Sequence, residues 1–350
     1  MKGATIRFQR ILVPLDGSMR AERAIPIAAR IARTSSGSVV LARVVSKPSG
    51  LWPSVAPQTT LVQQILADDL AEAEGYLSVA ATSPELQGVI TETQVRFGPA
   101  VSSILAVADS CQSDLIVLCS HGYTGITRRI MGSVAEKLAR EASVPVLVLR
   151  EGGSVPGGTY PDTHPLRALV PLDGSADAKA ALGPAAHLIA ALAGSAPGEL
   201  HLMRVVQPVA ASSDEGGMLT ASQKARGYLG ATAGHIRDGL VAPAVAQHNL
   251  AVSWSVAVDS YVAETLVRTA ENAEAVEEDG TFADFDVIAL ATHGHDGWQR
   301  WVMGSVTEHI LLGTKLPLLI VPPQGQRIVE TEEEDAEIRQ RSRSGVFSLA

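Results

Sequence analysis

Cysteine is nearly absent from this 350-residue chain. Cys111 and Cys119 are the only two, and no CxxC pair occurs, so a disulfide framework is excluded and a reducing cytoplasm is the expectation. Aromatic residues are also scarce, at 4%. That argues against an aromatic-cored β-sandwich and for Val/Leu-rich strands covered by Ala-rich helices. Positive charge is short as well. The 28 Lys and Arg stand against 37 Asp and Glu, a net charge of −9, so no nucleic-acid-binding surface is expected. A local nucleotide pocket stays open, because backbone amides can hold phosphate without basic side chains. No apolar run approaches the roughly 20 residues that span a bilayer. Met1-Lys-Gly-Ala-Thr5 leads straight into a strand-like segment with no apolar signal region, so the expectation is a cytoplasmic protein without a membrane partner.

What is present is apolar and periodic. Hydrophobic residues make up 46% of the chain, enough for two domains of about 150 residues each. In the first half, strand-like runs at Ile11–Leu15, Ser38–Val45, Val89–Phe97, Asp114–Leu118 and Pro145–Leu149 alternate with helical spacing. The helical segments are Ala21–Ala32, Leu61–Ala80, Val101–Ser110 and Val134–Glu141. That alternation predicts a parallel sheet with right-handed crossovers. A stretch rich in Gly, Pro, Ser and Thr follows, and the expected division is 1–150, a linker over 151–166, a second domain over 167–323, and a polar tail over 324–350. The tail, acidic and then basic, is expected to be a solvated extension.

The second domain repeats the first. Ile11-Leu-Val-Pro-Leu-Asp16-Gly-Ser18 returns as Ala168-Leu-Val-Pro-Leu-Asp173-Gly-Ser175. Leu41-Ala-Arg-Val-Val45 returns as Leu202-Met-Arg-Val-Val206, and Met131-Gly-Ser-Val134 as Met303-Gly-Ser-Val306. The spacing between copies grows along the chain, so the second copy has gained residues between elements while the elements persist. One insertion carries the acidic Glu277-Glu-Asp-Gly280.

The chemistry gathers where strand four meets its helix. Cys119-Ser-His-Gly122, nine residues, then Gly132-Ser133 is echoed by Ala291-Thr-His-Gly294, nine residues, then Gly304-Ser305. A glycine loop between a buried strand and a helix presents free amides to an anion. Parallel sheets bind ligands beyond the carboxyl ends of their strands, at a topological switch point. Asp16 lies just past strand one and Val44 near the end of strand two. Asp16 before Gly17-Ser18 suits a turn former or helix cap as well as a ligand contact, and Val44 suits core as well as a base-reading backbone edge. His121 and His293 read as loop histidines that bond backbone. Arg128, Arg129 and Arg300 read as solvated charges, and Met131 and Met303 as packing beneath the loop.

On these residues the chain resembles the universal stress protein family in its tandem form. The motifs are Val13-Pro-Leu-Asp16-Gly-Ser18, Ser120-His-Gly122, Gly132-Ser-Val-Ala-Glu136 and Pro145-Val-Leu-Val148, with their second copies. The resemblance implies two open five-stranded parallel sheets with helices on both faces, of the adenine nucleotide alpha hydrolase type. It implies ATP as ligand, with Mg or Mn bridging phosphates. Gly122, Gly132, Ser133, Gly294, Gly304 and Ser305 would face ribose and phosphates; Asp16, Val44, Asp173 and Val205 would lie around adenine and ribose. The family pattern Gly-x2-Gly-x9-Gly-Ser/Thr has Cys119 and Ala291 at its first glycine here. By the same resemblance Val146–Leu149 and Leu318–Val321 join the copies into a pseudo-dimer, and a homo-oligomer follows. The expected function is a stress-response protein that senses or signals through nucleotide occupancy. No metal-ligand cluster, Walker lysine loop or Ser-His-Asp order appears in the sequence, so no catalytic residue is named. The alternatives are a slow ATPase or other nucleotide-processing enzyme, and a nucleotide-free interaction module.

Overall fold

The computed structural model describes residues 8–46, 60–120, 131–150, 165–193, 198–208, 215–272, 285–292 and 303–323. Most of the expected linker and all of the expected tail lie outside them. The first half runs β1 (Arg10–Leu15), α1 (Met19–Glu22), α2 (Ala24–Ser35), β2 (Ser38–Val45), α3 (Thr60–Ala81), β3 (Ile90–Phe97), α4 (Ala100–Ser110), β4 (Leu115–Cys119), α5 (Ser133–Glu141) and β5 (Val146–Leu149). The second runs β6 (Arg167–Pro171), α6 (Leu182–Leu192), β7 (Glu199–Val206), α7 (Glu215–Arg237), α8 (Ala244–Gln247), β8 (Ala251–Val258), α9 (Val262–Asn272), β9 (Val287–Ala291), α10 (Ser305–Gly313) and β10 (Leu318–Val321), with a 3₁₀ turn at Ala178–Ala181 before α6.

The expected first helix, Ala21–Ala32, is in fact two, broken at Arg23. Pro26 explains the break. It has no N–H to give to the Glu22 carbonyl, but it is tolerated in the first turn of a new helix. Pro184 holds the same third position in α6.

The two five-stranded halves form one ten-stranded sheet in the order β3-β2-β1-β4-β5-β10-β9-β6-β7-β8. Pairing is parallel within each half. At the junction β10 meets β5 antiparallel, with Leu318 opposite Val148 and Ile320 opposite Val146. So the pairing implied for the final strands occurs inside the chain. It also covers the free side of β5, which closes that edge to a second copy.

Side chains alternate across the strands, and two cores result. On one face Ile11, Val13 and Leu15 pack with α2, Leu77 of α3, and α6. On the other, Leu12, Val40 and Ala42 pack with Ile104 of α4, Leu138 of α5, and Ile310 of α10. Both faces carry ties between halves. Thr34 Oγ1 donates to the Ala191 carbonyl at 3.0 Å, and Arg140 Nη2 to Glu308 Oε1 at 2.9 Å. The buried Arg150 caps the last turn of α10, donating through Nε to the Thr314 carbonyl at 2.9 Å and through Nη2 to that of Leu311. Burial pushes its pKa down, and nearby Glu271 opposes that.

The second half buries a polar chain where the first is apolar. His201 sits where Val40 sits in the first half, opposite Leu169 as Val40 is opposite Leu12. Its ring nitrogens lie 2.7 Å from the hydroxyls of Ser253 and Ser255. Ser253 donates to Glu199, which pairs with Arg167 at 2.9 Å. Desolvation dominates at His201 and pushes its pKa from 6.5 down to about 4; Glu199 works against the shift and Arg167 with it. Between those two pH values the unfolded chain takes up a proton that the native imidazole refuses. Stability from this group is therefore complete above pH 6.5 and is lost as pH falls toward 4, by about 3 kcal/mol. In urea titrations at pH 7 and pH 4.5, His201→Val should lose much less stability between the two values than the native chain does.

Candidate functional site

Within each half the strand order reverses between its first and fourth strands. From β1 the chain moves outward to β2 and β3, then returns to place β4 and β5 on the other side. A crevice opens at the carboxyl ends of such neighbours. Ile11 is opposite Leu115 and Leu12 opposite Ile116; carried forward, that register sets Asp16 beside Ser120.

The Asp-Gly-Ser segment builds a turn. Asp16 Oδ1 accepts from the Ser18 amide at 3.0 Å and its hydroxyl at 2.6 Å. Ser18 Oγ accepts from the Ala21 amide at 3.2 Å and caps α1. In the second half Asp173 Oδ1 accepts from the Ser175 amide at 2.8 Å, and Ser175 Oγ from the Ala178 amide at 3.0 Å. Serine is therefore the cap and aspartate the turn former. Both carboxylates remain on the exposed lip of the crevice. The glycines between them are at φ +88° and +97°, where a Cβ is disfavoured.

Val44 is half-buried and packs on the α4/α5 side. The Val45 carbonyl accepts from Gly98 on the β3 side. Successive peptide groups of a strand face alternate neighbours, so those of Val44 face β1. They lie one residue past the last β1 partner, Leu15 opposite Arg43. Val205 holds the equivalent place in β7.

The Gly-Ser helix openings lie against the ends of β4 and β9. Gly132 N–H donates to the Ser120 carbonyl at 2.7 Å, and Ser120 N–H to the Leu149 carbonyl at 2.8 Å. Gly304 N–H donates to Thr292 at 3.0 Å, and Thr292 N–H to Val321 at 3.0 Å. Each glycine is an N-cap, and no side chain caps either helix. Ser133 and Ser305 are the first helical residues. Thr307 Oγ1 donates back to the Ala291 carbonyl at 3.1 Å. The loop residues Gly122, Gly294, His121, His293, Arg128, Arg129 and Arg300 lie outside the described residues. Met131 and Met303 are buried in the core on the α5 and α10 face; the loop they were expected to pack beneath lies outside the described residues.

One part of each crevice is missing from the reading of the sequence. A cavity of about 470 Å³ is lined by Asp16, Gly17, Arg43, Glu72 and Tyr76. Arg43 stacks over the Tyr76 ring, 4.9 Å from its centroid, and pairs with Glu72 at 3.6 Å. The Tyr76 hydroxyl donates to Glu22 at 2.9 Å. Burial, then that bond, hold its pKa above the ordinary phenol range, so it stays a donor. The second cavity, about 330 Å³, is lined by Arg204, Val205, Val206, Gln207, Ala221, Lys224 and Ala225, and Arg204 stacks over Tyr228 at 5.4 Å. The signal was available in Gly75-Tyr-Leu77 and Gly227-Tyr-Leu229, a repeated triplet in two long helices.

The halves also differ at the end of their third strands. Gly98 has φ +147°. Asp259 stands in its place, and its Oδ1 accepts from the Tyr261 amide at 2.9 Å. That bond is the main cause holding the Asp259 carboxyl below its usual pKa.

The family model for universal stress proteins matches residues 7–150 and again 166–322. The chain belongs to the universal stress protein family. Two curated relatives each cover about one half. A universal stress protein of Methanocaldococcus jannaschii is 29% identical over 144 residues, 41% of this chain and 83% of its own length. A relative in Staphylococcus aureus is 31% identical over 147 residues, 41% of this chain and 86% of its own. The crystal structure of a universal stress protein from Archaeoglobus fulgidus shares the whole fold, with a TM-score of 0.60 over 90% of this chain and 99% of that one, at 15% identity. The tandem universal stress fold thus supplies each Asp-Gly-Ser turn with a steric test. At Gly17 and Gly174 an added Cβ would meet Arg43 at 3.3 Å and Arg204 at 2.9 Å. Gly17→Ala and Gly174→Ala should each cost about 1 kcal/mol or more from the positive φ alone, read as a drop in urea midpoint.

Proposed function

We propose that each half binds an adenine nucleotide, ATP, and that the protein senses or signals through the occupancy of the two sites. The observation that carries this reading is the Gly-Ser helix opening. A nine-residue helix begins beside the end of a central strand, capped by a glycine whose side chain cannot supply the missing acceptor. The arrangement occurs twice.

The residues fit the group. The Gly132 and Gly304 amides are committed to the strand ends. The following first-turn amides, from Ser133 and Ser305 onward, are then the donors offered to phosphate, with the serine hydroxyls beside them. Each phosphate charge at such a terminus gains about 0.3–1 kcal/mol, more where partly buried. The glycines themselves need a reason. Their φ values of −64° and −59° suit any residue, and a Cβ on Gly304 would come no closer than 3.7 Å to the Thr292 carbonyl. Close approach by a ligand supplies that reason. On this reading Gly122 and Gly294 would complete the phosphate cradle, and Mg or Mn carried in with the nucleotide would neutralise phosphate charge. Asp16 and Asp173 meet the ribose from the exposed lip, and the peptide groups of Val44 and Val205 meet the base. The reading includes a cytoplasmic protein, and any homo-oligomer must use a surface other than β5.

Two measurements test it. Acid extraction of gently purified protein, followed by chromatography, should release adenine nucleotide, and added ATP should raise the melting temperature by mass action. Gly304→Ala should keep stability within about 1 kcal/mol while weakening ATP binding in that half about tenfold, or 1.4 kcal/mol. No released nucleotide together with no thermal shift would remove the reading. Phosphate release that depends on Asp16 while binding survives its replacement would favour the slow ATPase.

A further inference from the structure

The Arg–Tyr stacks of the two halves, Arg43 on Tyr76 and Arg204 on Tyr228, each stand beside a cavity, and the charges around them are opposite. Asp16-Gly-Ser-Met-Arg-Ala-Glu22 aligns with Asp173-Gly-Ser-Ala-Asp-Ala-Lys179. Glu72-Ala-Glu-Gly-Tyr76-Leu77 aligns with Lys224-Ala-Arg-Gly-Tyr228-Leu229. The exchanges fall around one ring in each half. In the first, Glu22 receives the Tyr76 hydroxyl and Glu72 pairs with Arg43. In the second, Lys179 Nζ lies 5.0 Å from the Tyr228 centroid and Arg204 5.4 Å from it. Lys224 lines the cavity with Arg204. Glu22 and Glu72, which face the Arg43–Tyr76 stack, have become Lys179 and Lys224 about the Arg204–Tyr228 stack, while Arg20 and Asp177 in the same turns exchange the other way.

The exchange has a structural trace. A lysine cannot accept a hydrogen bond. With Lys179 in the place of Glu22, the Tyr228 hydroxyl has no carboxylate to receive it, and the side chain that meets it is Thr232 of its own helix. The second half thus exchanges the phenol's carboxylate partner for positive charge around the ring, although the chain as a whole is acidic.

We infer that the second-half cavity is a binding site for a phosphoryl group or a similar multivalent oxyanion, and that its first-half counterpart is not. The guanidinium of Arg204, positioned by its stack on Tyr228, offers a planar fork of donors, and Lys224 adds a mobile point charge at the rim. The cavity, about 330 Å³, has room for a diphosphate. Holding Arg204 against the ring before the ligand arrives lowers the ordering cost of binding. This site uses side chains of β7 and α7, whereas the helix openings at α5 and α10 use main-chain donors. It stands whether or not those openings hold ATP.

The test exchanges the halves' charges. Inorganic pyrophosphate is titrated calorimetrically into the full chain, into Lys224→Glu, and into the double variant Glu22→Lys/Glu72→Lys. Circular dichroism and melting curves confirm that each is folded. Lys224→Glu should weaken one pyrophosphate site about tenfold, and higher salt should narrow the difference. The double variant should gain an equivalent of pyrophosphate. ATP and adenosine titrations of the same proteins identify the source of the anion. A parallel loss of ATP affinity in Lys224→Glu, with adenosine affinity unchanged, assigns the site to a nucleotide's phosphates, and a loss confined to pyrophosphate assigns it to the free anion. Gly304→Ala should leave this site unchanged, which separates its failure from that of the helix opening. Pyrophosphate affinity within twofold of native in Lys224→Glu, or no gain in the double variant, would overturn the inference.

Discussion

One backbone hydrogen bond in each half decides where the helix after the fourth strand begins. After β4 the chain departs and comes back to the residue it left, with Gly132 N–H donating to the Ser120 carbonyl. The bond seats the start of α5 against the strand end. Because β4 neighbours β1, it also seats that helix beside the Asp16 turn. The same bond from Gly304 to Thr292 does this for α10. Sheet order, turn and helix dipole converge on one crevice because the return point is fixed. A side-chain contact would hold the helix less well, since its rotamers would have to be ordered first.

The antiparallel meeting of β5 and β10 turns two copies into one body. It makes their cores continuous on both faces, and Arg150 reaches across it to the last turn of α10. Position 322, the second-half counterpart of Arg150, is proline and cannot return that bond. The join is therefore unequal: α10 is tied at its far end to the other half, and α5 has no such tie from Pro322. Duplication has kept the strands and the turns. The differences between the halves lie around them, in the His201 chain, at Asp259, and in the reversed charges near Tyr228.

Much of the fold was legible because the signals are local and occur twice. Buried strands such as Leu115–Leu118, the Asp-Gly-Ser turns and the Gly-Ser helix openings each follow from residues adjacent in sequence. The turn role of Asp16 was legible for the same reason, since an aspartate oxygen reaches the amide two residues on. What escaped depends on distant residues. Arg43 meets Tyr76 only after α3 folds back over β2, so a repeated Gly-Tyr-Leu has no evident meaning in the linear chain. His201 reads as a strand residue until Ser253 and Ser255 arrive from β8. The halving of the first helix was a different kind of miss: Pro26 stood in view, and its missing N–H was the reason.

The central claim is that two helix openings offer main-chain donors to the phosphates of a nucleotide. The most direct measurement is amide chemical-shift mapping of the isotope-labelled chain as ATP is added. The account predicts the largest shifts at Ser133, Val134, Ser305 and Val306, with smaller ones at Val44 and Val205. Shifts absent from both helix openings at saturating ATP, or confined to α3 and α7, would contradict it.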